Sequence, residues 1–359
     1  MRRMQMYNLN RYQNLNKKLK TLKRVELGFF PTKLYKLENL SKKYQVNLYL
    51  KRDDLSGFST FGGNKIRKLE FLFGDIFNQG AKNIFTFGAT QSNHALQTAI
   101  ACRKYNLNPI LYLVDIIGEG MENPKANILL DQILGAEIKV VELKKGENEF
   151  DAMERAKEMA QKQAEKISEE KNDYYLIPPG GASAVGTAAF INAYLELKEQ
   201  EFKQKLNFKN IYHAVGTGGT LAGLSAANAY LEADTKVHGV NVTHRKDDFI
   251  KQVAELATEA LKTADIDYQV KSSQLIIENN YVGPGYEIPS EKANNTLKLF
   301  AEKEGIFLDP VYTAKAAAAM IDHLEKREIE KGSDVLFWHT GGTNALFAEK
   351  KLLGSLLDN

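Results

Sequence analysis

The chain has 359 residues, of which 43% are apolar and 26% are charged, so it is long enough for a large core and for two domains. No run approaches the roughly 18 apolar residues of a membrane helix, and the N-terminus lacks the apolar segment of a secretory signal. A single cysteine, Cys102, excludes an intramolecular disulfide framework. We therefore expect a cytoplasmic protein with no membrane partner.

The formal net charge of +3 is unevenly distributed. Residues 1–25 carry eight lysines or arginines and no acid, so the rest of the chain is net negative. Nucleic-acid binding calls for a basic face on the folded domain, whereas this excess lies in one terminal segment. We expect a terminal arm or helix and no nucleic-acid partner. An organelle transit peptide is an alternative interpretation of this segment, because the segment lacks acids, although it also lacks serine.

Apolar, strand-like runs alternate with long amphipathic stretches, a pattern typical of parallel sheets covered by helices. The predicted strands are 47–52, 83–87, 109–114, 137–143, 174–177, 210–215, 236–242 and 334–339. The predicted helices lie near 64–79, 92–105, 122–134, 149–170, 185–203, 218–231, 246–264, 290–304 and 313–330. Ligands of open α/β sheets bind at the carboxyl ends of the strands, so the loops there are the candidate sites.

Two of these loops precede helices 64–79 and 92–105. In the first, two glycines and an asparagine put Lys65 at the start of the helix. Composition alone does not distinguish Lys65 from the neighbouring basic residues as a catalytic residue. In the second, Gln91, Ser92 and Asn93 offer hydrogen-bond donors at a helix start, which suits a carboxylate. Ordinary helix capping by Ser92 or Asn93 is an equal alternative.

The six histidines show no metal-ligand spacing, so we predict no metal.

The glycine-rich loop VGTGGTLAGL, residues 215–224, follows a strand and opens a helix. Its backbone N–H groups and its threonine hydroxyls can surround a phosphate at the helix N-terminus. The nucleotide motifs fail, because the P-loop lysine is absent and Leu221 interrupts the dinucleotide pattern. A nicotinamide or ATP site is therefore disfavoured, and a glycine-rich turn without a ligand stays open.

Three further positions lie in the C-terminal half. Tyr286 stands beside a Gly-Pro turn, and Tyr312 precedes a helix that Thr313 is placed to cap. Thr340 and two glycines follow the last strand. Pyridoxal 5′-phosphate needs a lysine for its imine, a neutral cup for its phosphate and a partner for its ring nitrogen. The sequence can supply all three, so we predict this cofactor.

The sequence resembles the pyridoxal-phosphate enzymes that comprise D-cysteine desulfhydrases and 1-aminocyclopropane-1-carboxylate deaminases, within the tryptophan-synthase-β-like fold group. The likeness covers most of the chain and is carried by KRDDLSGFSTFGGNKIRKLE, FGATQSNHALQTA, IPPGGASAVG, VGTGGTLAGL, GPGYEIPSE, EGIFLDPVYTAKA and FWHTGG. It implies fold type II, an α/β class with two domains of parallel-rich open sheets covered by helices. Residues 1–66 and 184–359 would form the large cofactor domain, and residues 67–183 a smaller inserted one. A homodimer is usual in this family.

The resemblance also implies roles for individual residues. Lys65 would hold the cofactor as a Schiff base, Asn93 would bind the ring hydroxyl, and Thr313 would partner the ring nitrogen. The substrate carboxylate would lie against Gln91, Ser92 and Asn93. The other positions that it implicates are the substrate-side tyrosines Tyr286 and Tyr312, the phosphate loop Gly216, Thr217, Gly218, Gly219 and Thr220, and the cofactor-side Thr340. The proton-abstracting base stays open between Lys65, Ser92 and a tyrosine.

Two threonines favour the desulfhydrase branch. The deaminase branch has glutamate after the DPVY motif and leucine before the last Gly-Gly pair, where this sequence has Thr313 and Thr340. The predicted reaction is β-elimination of D-cysteine to pyruvate, hydrogen sulfide and ammonia. The alternatives are 1-aminocyclopropane-1-carboxylate deamination, β-elimination from β-chloro-D-alanine, D-serine or cysteate, a racemase or dehydratase, and a catalytically silent binding protein.

Overall fold

The computed structural model describes residues 7–116, 118, 124–168 and 173–348, and it contains two parallel-rich sheets covered by helices. The predicted α/β class with open parallel sheets is therefore confirmed. The strands are β1 Leu34–Lys36, β2 Asn47–Arg52, β3 Asn83–Ala89, β4 Asn108–Asp115, β5 Glu137–Glu142, β6 Tyr174–Leu176, β7 Phe208–Val215, β8 Lys236–Asn241, β9 Ile276–Glu278 and β10 Asp334–His339.

The helices alternate with these strands as the sequence pattern predicts. They are α1 Leu9–Leu19, α2 Glu38–Tyr44, α3 Asn64–Gln79, α4 Asn93–Lys104, α5 Ala126–Ile133, α6 Glu149–Ser168, α7 Ala184–Gln204, α8 Gly219–Tyr230, α9 Phe249–Thr263, α10 Glu291–Glu304 and α11 Thr313–Glu325. None of these helices combines the length and the apolarity needed to span a bilayer. The predicted helix residues 122–123 and 169–170 lie outside the described residues.

The differences from the predicted elements are short or local. The three-residue strands β1 and β9 and the seven-residue α2 are too brief for a periodic pattern to show them. Helix α11 ends at Glu325, five residues before the predicted end, and Arg327 adopts a left-handed backbone with φ 59°. That conformation cannot continue a right-handed helix.

The larger sheet has the order β1-β2-β10-β7-β8-β9 and is parallel except for the edge strand β1. The smaller sheet, β5-β4-β3-β6, is parallel throughout and uses only residues 83–176. The chain thus completes two strands of the larger sheet, builds the smaller sheet and then returns to the larger one. This order suits an inserted domain, while the boundaries at residues 66 and 184 stay predictions.

The basic N-terminal segment forms a docked helix over residues 9–19. Leu15 and Leu19 of α1 are buried in the core cluster that α7, α8 and α9 build on one face of the larger sheet. Arg11 pairs with Glu232 at 3.2 Å, and Lys18 pairs with Asp265. Part of the basic excess is therefore paired with acids of the folded body, as expected for a terminal helix and not for a free arm.

Helix α3 is held in place by a buried ion network. The Arg67 guanidinium donates to Asp53 and to Glu196, each at 2.8 Å, and it stacks on the Phe30 ring at 4.3 Å. Lys51 is fully buried and contacts the same Glu196 carboxylate at 2.5 Å. The network joins the start of α3 to β2 and to α7, and it therefore fixes the turn of helix that carries Lys65.

Replacing Arg67 should destabilise the fold strongly. Arg67→Ala leaves the Asp53 carboxylate buried without its charged partner, so we expect the free energy of unfolding to fall by about 3–5 kcal/mol. Urea unfolding of the variant and the wild type measures this difference. Arg67→Lys is the matched control, because it keeps the charge and loses only the bidentate fork. Equal losses for both variants would contradict the ion-pair explanation.

Candidate active site

A cavity of about 470 Å³ lies where the carboxyl ends of β7, β8 and β10 face the N-terminus of α4. This is the edge at which parallel α/β sheets collect ligands. Most of the residues that sequence reasoning selected border it together: Lys65, Ser92, Asn93, Gly216, Thr217, Gly218, Gly219, Thr220, Tyr286, Tyr312 and Thr340. Gln91 and Thr313 are not among the lining residues.

Lys65 is positioned by a close contact between two loops. Gly63 precedes α3 with φ 155°, and a Cβ there would lie 2.6 Å from the Gln97 side-chain nitrogen and 2.9 Å from the Thr340 carbonyl oxygen. No side chain fits at that distance, so the sequence needs glycine. The backbone N–H of Asn64 donates to the same Thr340 carbonyl at 3.0 Å. The loop after β10 therefore sets the helix start from which Lys65 projects.

The Lys65 amine is prepared for nucleophilic chemistry. Its Nζ donates to Asn64 Oδ1 at 3.1 Å. Burial lowers the pKa of Lys65 to about 8, although the Asp309 carboxylate acts in the opposite direction. The neutral amine is the nucleophilic form, so a much larger fraction of Lys65 is reactive near neutral pH than of an exposed lysine.

This pKa predicts how cofactor loading depends on pH. The rate at which apoprotein reacts with pyridoxal phosphate should rise about tenfold per pH unit below pH 8 and level off above pH 9, because it follows the neutral fraction of Lys65. Stopped-flow absorbance at the imine band measures the rate. A rate that keeps rising to the ordinary lysine pKa of about 10.4 would contradict the lowered value.

Lys68 is a second cavity lysine that sequence reasoning did not select. Its Nζ donates to the Gly180 carbonyl at 3.0 Å, and it lies 2.7 Å from the point where a Cβ on Gly219 would stand. Burial, and then the charge of Lys65, lower the pKa of Lys68 well below its usual value. The signal in the sequence was the i, i+3 spacing from Lys65, which puts both lysines on one helix face.

The glycine-rich loop forms the floor of the cavity. Gly218 has φ 88° and lies directly before α8, whose first residue is Gly219. The first N–H groups of a helix lack intrahelical partners and attract anions. The Thr220 hydroxyl accepts from Asn64 Nδ2 at 3.0 Å and keeps its own hydrogen for another acceptor. Together with Lys68 this loop fits the phosphate group of pyridoxal phosphate.

The N-terminus of α4 presents Ser92 and Asn93 to the cavity. Ser92 caps the helix by accepting from the Ala95 N–H at 3.2 Å, and Asn93 Oδ1 accepts from Asn127 Nδ2 at 3.0 Å. Gln91 is directed toward α5 instead, where its Oε1 accepts from the Asn127 N–H at 3.0 Å. Capping and anion binding are thus compatible at this helix, and Gln91 supports the loop from outside the cavity. Its predicted contact with substrate stays a prediction.

Tyr286 and Tyr312 line the cavity and form a pair through their hydroxyl groups. Their hydroxyl groups are hydrogen-bonded to each other, and their rings are 5.8 Å apart at an angle of 71°. Burial raises the pKa of both tyrosines well above the usual value. Each hydroxyl therefore carries its proton at neutral pH, and the pair suits proton donation better than proton abstraction.

Thr313 lies behind this pair and is fully buried. Its hydroxyl donates to Asp309 Oδ1 at 2.6 Å and accepts from the Asp309 N–H at 2.7 Å. The Asp309 carboxylate also accepts from the N–H groups of Tyr312 and Thr313, each at 2.8 Å. The threonine thus completes a tight turn that orients Tyr312. Its predicted bond to the ring nitrogen stays a prediction.

Arg245 is a second cavity residue that sequence reasoning missed. Its guanidinium lies over the rings of Phe150 at 5.0 Å and Phe249 at 4.6 Å, and it donates to the Gly216 carbonyl. Its Nε has no hydrogen-bond partner among the described residues. Its position just after β8, at the carboxyl edge of the sheet, was the signal that could have identified it.

Comparisons with known proteins agree with this geometry. The family model described as pyridoxal-phosphate dependent enzyme matches residues 25–341. A Thermotoga maritima protein named "Putative 1-aminocyclopropane-1-carboxylate deaminase" is 41% identical over 332 residues, which are 92% of this chain and 99% of that protein. The D-cysteine desulfhydrase of Serratia proteamaculans is 33% identical over 93% of this chain and 98% of its own length.

A solved structure shows the same fold along nearly all of this chain. The crystal structure of an ACC deaminase homologue superposes with a TM-score of 0.83 at 36% identity, covering 96% of this chain and 99% of that one. The chain belongs to the pyridoxal-phosphate dependent enzymes, and within them to the family that contains 1-aminocyclopropane-1-carboxylate deaminases and D-cysteine desulfhydrases. The predicted resemblance, fold type and cofactor are confirmed.

Proposed function

We propose that this enzyme catalyses β-elimination from D-cysteine. One D-cysteine and one water give one pyruvate, one hydrogen sulfide and one ammonia, so the atoms balance without an oxidant or reductant. The observation that carries the proposal is the neutral Thr313 hydroxyl in the DPVYT turn, bonded to Asp309 at 2.6 Å. If Thr313 is the partner of the ring nitrogen, as the resemblance implies, that neutral partner suits expulsion of a good leaving group such as hydrosulfide, whereas opening a cyclopropane needs a stronger electron sink.

The cofactor would be held by residues on three elements. Lys65 of α3 would carry it covalently, the loop 216–220 and Lys68 would bind its phosphate, and Asn93 would contact its ring hydroxyl. When bound, pyridoxal phosphate delocalises the electron pair left on the substrate Cα after deprotonation. The protein supplies the positions of the acids and bases around it.

The substrate carboxylate would bind at the N-terminus of α4. The Ser92 hydroxyl hydrogen remains available, because the capping bond uses only its oxygen as acceptor. The helix dipole favours a negative charge at the same place. A carboxylate fixed there would leave the substrate Cα between α3 and the tyrosine pair.

Proton transfer would be divided between Lys65 and the tyrosine pair. A neutral Lys65 amine, favoured by its pKa of about 8, takes the proton from the substrate Cα. Tyr286 and Tyr312 keep their protons at neutral pH, since burial raises the pKa of both. They therefore donate to the departing sulfur. In this scheme the base is the neutral amine of Lys65 and the acids are the protonated tyrosine hydroxyls, so each group acts in the protonation state that its pKa favours.

Deamination of 1-aminocyclopropane-1-carboxylate is the second candidate. The name of the 41% identical Thermotoga maritima relative favours it. Opening the ring also requires proton transfer at carbon, which the same lysine and tyrosines could perform.

The cytoplasmic location and the homodimer predicted from the sequence also remain proposals. Size-exclusion chromatography with light scattering tests the homodimer.

Product analysis tests the proposal directly. Holoenzyme incubated with D-cysteine should release sulfide and pyruvate in equal amounts, and L-cysteine is the matched control for the configuration at Cα. The sulfide is trapped and quantified colorimetrically, and pyruvate is measured with lactate dehydrogenase. Turnover of 1-aminocyclopropane-1-carboxylate with no product from D-cysteine would defeat the assignment.

A further inference from the structure

A second polar cluster lies on the α11 side of the larger sheet, away from the cavity. We call His238, Glu278 and His323 the histidine cluster. One potential ligand atom from each lies within 4.8 Å of the other two. His238 Nδ1 is 2.9 Å from Glu278 Oε1, and His323 Nε2 is 4.0 Å from Glu278 Oε2. Donor atoms around a tetrahedral ion with bonds of about 2.0–2.1 Å are about 3.3 Å apart, so small side-chain movements would close this set on one ion.

Outer partners orient both imidazoles toward the same point. His323 Nδ1 is hydrogen-bonded to the Tyr212 hydroxyl at 2.8 Å, and His238 Nε2 to Asn210 Oδ1 at 3.1 Å. Each ring therefore uses one nitrogen for a fixed partner. The other nitrogen of His238 faces Glu278, and that of His323 faces Glu278 at 4.0 Å and the exposed Glu328 at 3.8 Å. Metal-binding histidines in proteins show this arrangement, since the outer bond sets the tautomer and the ring direction.

Packing restrains the side chains of the cluster. The Tyr212 ring stacks on His238 with centroids 4.4 Å apart at 6°. The side chains of His238, Glu278 and His323 are only 11%, 19% and 12% exposed. The cluster is thus restrained by packing and mostly shielded, and its residual exposure gives access to a water ligand.

We propose that the histidine cluster binds one divalent transition-metal ion of the Zn²⁺ class. Two imidazoles and one carboxylate suit Zn²⁺, whereas Mg²⁺ and Ca²⁺ prefer all-oxygen sites. Three protein ligands leave the fourth position for water. The site is independent of the proposed β-elimination, because none of its residues borders the catalytic cavity.

Its place in the fold defines what the ion would do. His238 is on β8, Glu278 is on β9 and His323 is in the last turn of α11. Thr313, at the other end of α11, is ten residues earlier, or about 15 Å along the helix. The ion would clamp the edge strand β9 and the end of α11 to the sheet, and would stabilise the native state by binding to it.

Zinc uptake by the holoenzyme tests the proposal. Tag-free holoenzyme is treated with chelator, dialysed against zinc chloride and analysed for zinc and for its melting temperature. We expect one zinc per chain and a higher melting temperature for the wild type. Glu278→Gln preserves the shape and can still accept from His238 but lacks the charge, so it should lose both effects.

Two more variants make the result specific. Tyr212→Phe removes only the outer bond to His323 and should weaken zinc binding about 10-fold to 100-fold. His244→Ala removes an exposed histidine outside the cluster and should bind zinc like the wild type. Equal zinc uptake by the wild type and Glu278→Gln, or an equal loss in His244→Ala, would show that the cluster is a hydrogen-bonded network only and overturn the proposal.

Discussion

Lys65→Ala is expected to abolish the imine absorbance band and to lower kcat by about 10³-fold or more. The variant removes the amine that binds the cofactor and, in the proposed mechanism, the base that takes the Cα proton. Lys65 is the cavity lysine whose pKa falls to about 8 through burial while Asp309 acts in the opposite direction. Absorbance spectra and pyruvate production measure the two effects on the same sample.

Lys68→Met is the matched control for this experiment. It changes a buried lysine of the same helix, one turn away, and removes the amine next to Gly219. We expect the imine band to survive and the dissociation constant of pyridoxal phosphate to rise about 10-fold to 100-fold, as for the loss of one hydrogen bond to a charged group. If Lys68→Met lost the band and Lys65→Ala kept it, the two lysines would have been assigned the wrong way round.

Tyr312→Phe is expected to lower kcat for D-cysteine by about 10²-fold to 10⁴-fold, which is the usual contribution of a positioned acid. The variant removes one hydroxyl of the Tyr286–Tyr312 pair and keeps the ring that packs beside it. Cofactor binding should be preserved, since the phosphate loop and Lys65 are unchanged. Steady-state pyruvate formation and the imine band separate the two effects.

Tyr175→Phe is the control for a general effect of losing a tyrosine hydroxyl. Tyr175 donates to Asp75 at 2.7 Å outside the cavity, so this variant should keep kcat within about twofold. An unchanged kcat in Tyr312→Phe would remove the tyrosine pair from the mechanism. A similar loss in both variants would point to a structural cause.

The sequence predicted the position of the site better than the orientation of its side chains. The alternation of strands and helices identified every strand of four residues or more, and parallel strands bring their carboxyl ends to one edge. That rule brings the glycine loop after β7 and Thr340 after β10 to one cavity, whereas Ser92 follows a strand of the smaller sheet and Tyr312 follows a helix. Short elements such as β1 and β9 carry too few residues for a period to be visible.

Side-chain direction depends on contacts that no local pattern contains. Gln91 is turned toward Asn127 on α5, and Thr313 is bonded within its own turn to Asp309. Lys68 lies against the glycine loop only because α3 packs beside Gly180. The histidine cluster was also invisible to motif spacing, since its three residues come from two strands and the far end of a helix and meet only through the sheet register.

A competition assay tests the central claim most directly. Holoenzyme is given equal concentrations of D-cysteine and 1-aminocyclopropane-1-carboxylate, and the two oxo acids formed are separated and quantified. β-Elimination of D-cysteine gives pyruvate, whereas hydrolytic opening of the cyclopropane gives 2-oxobutanoate. We predict that pyruvate is the main product and that it appears together with an equal amount of sulfide. A product that is mainly 2-oxobutanoate would contradict the account and assign the enzyme to the deaminase branch.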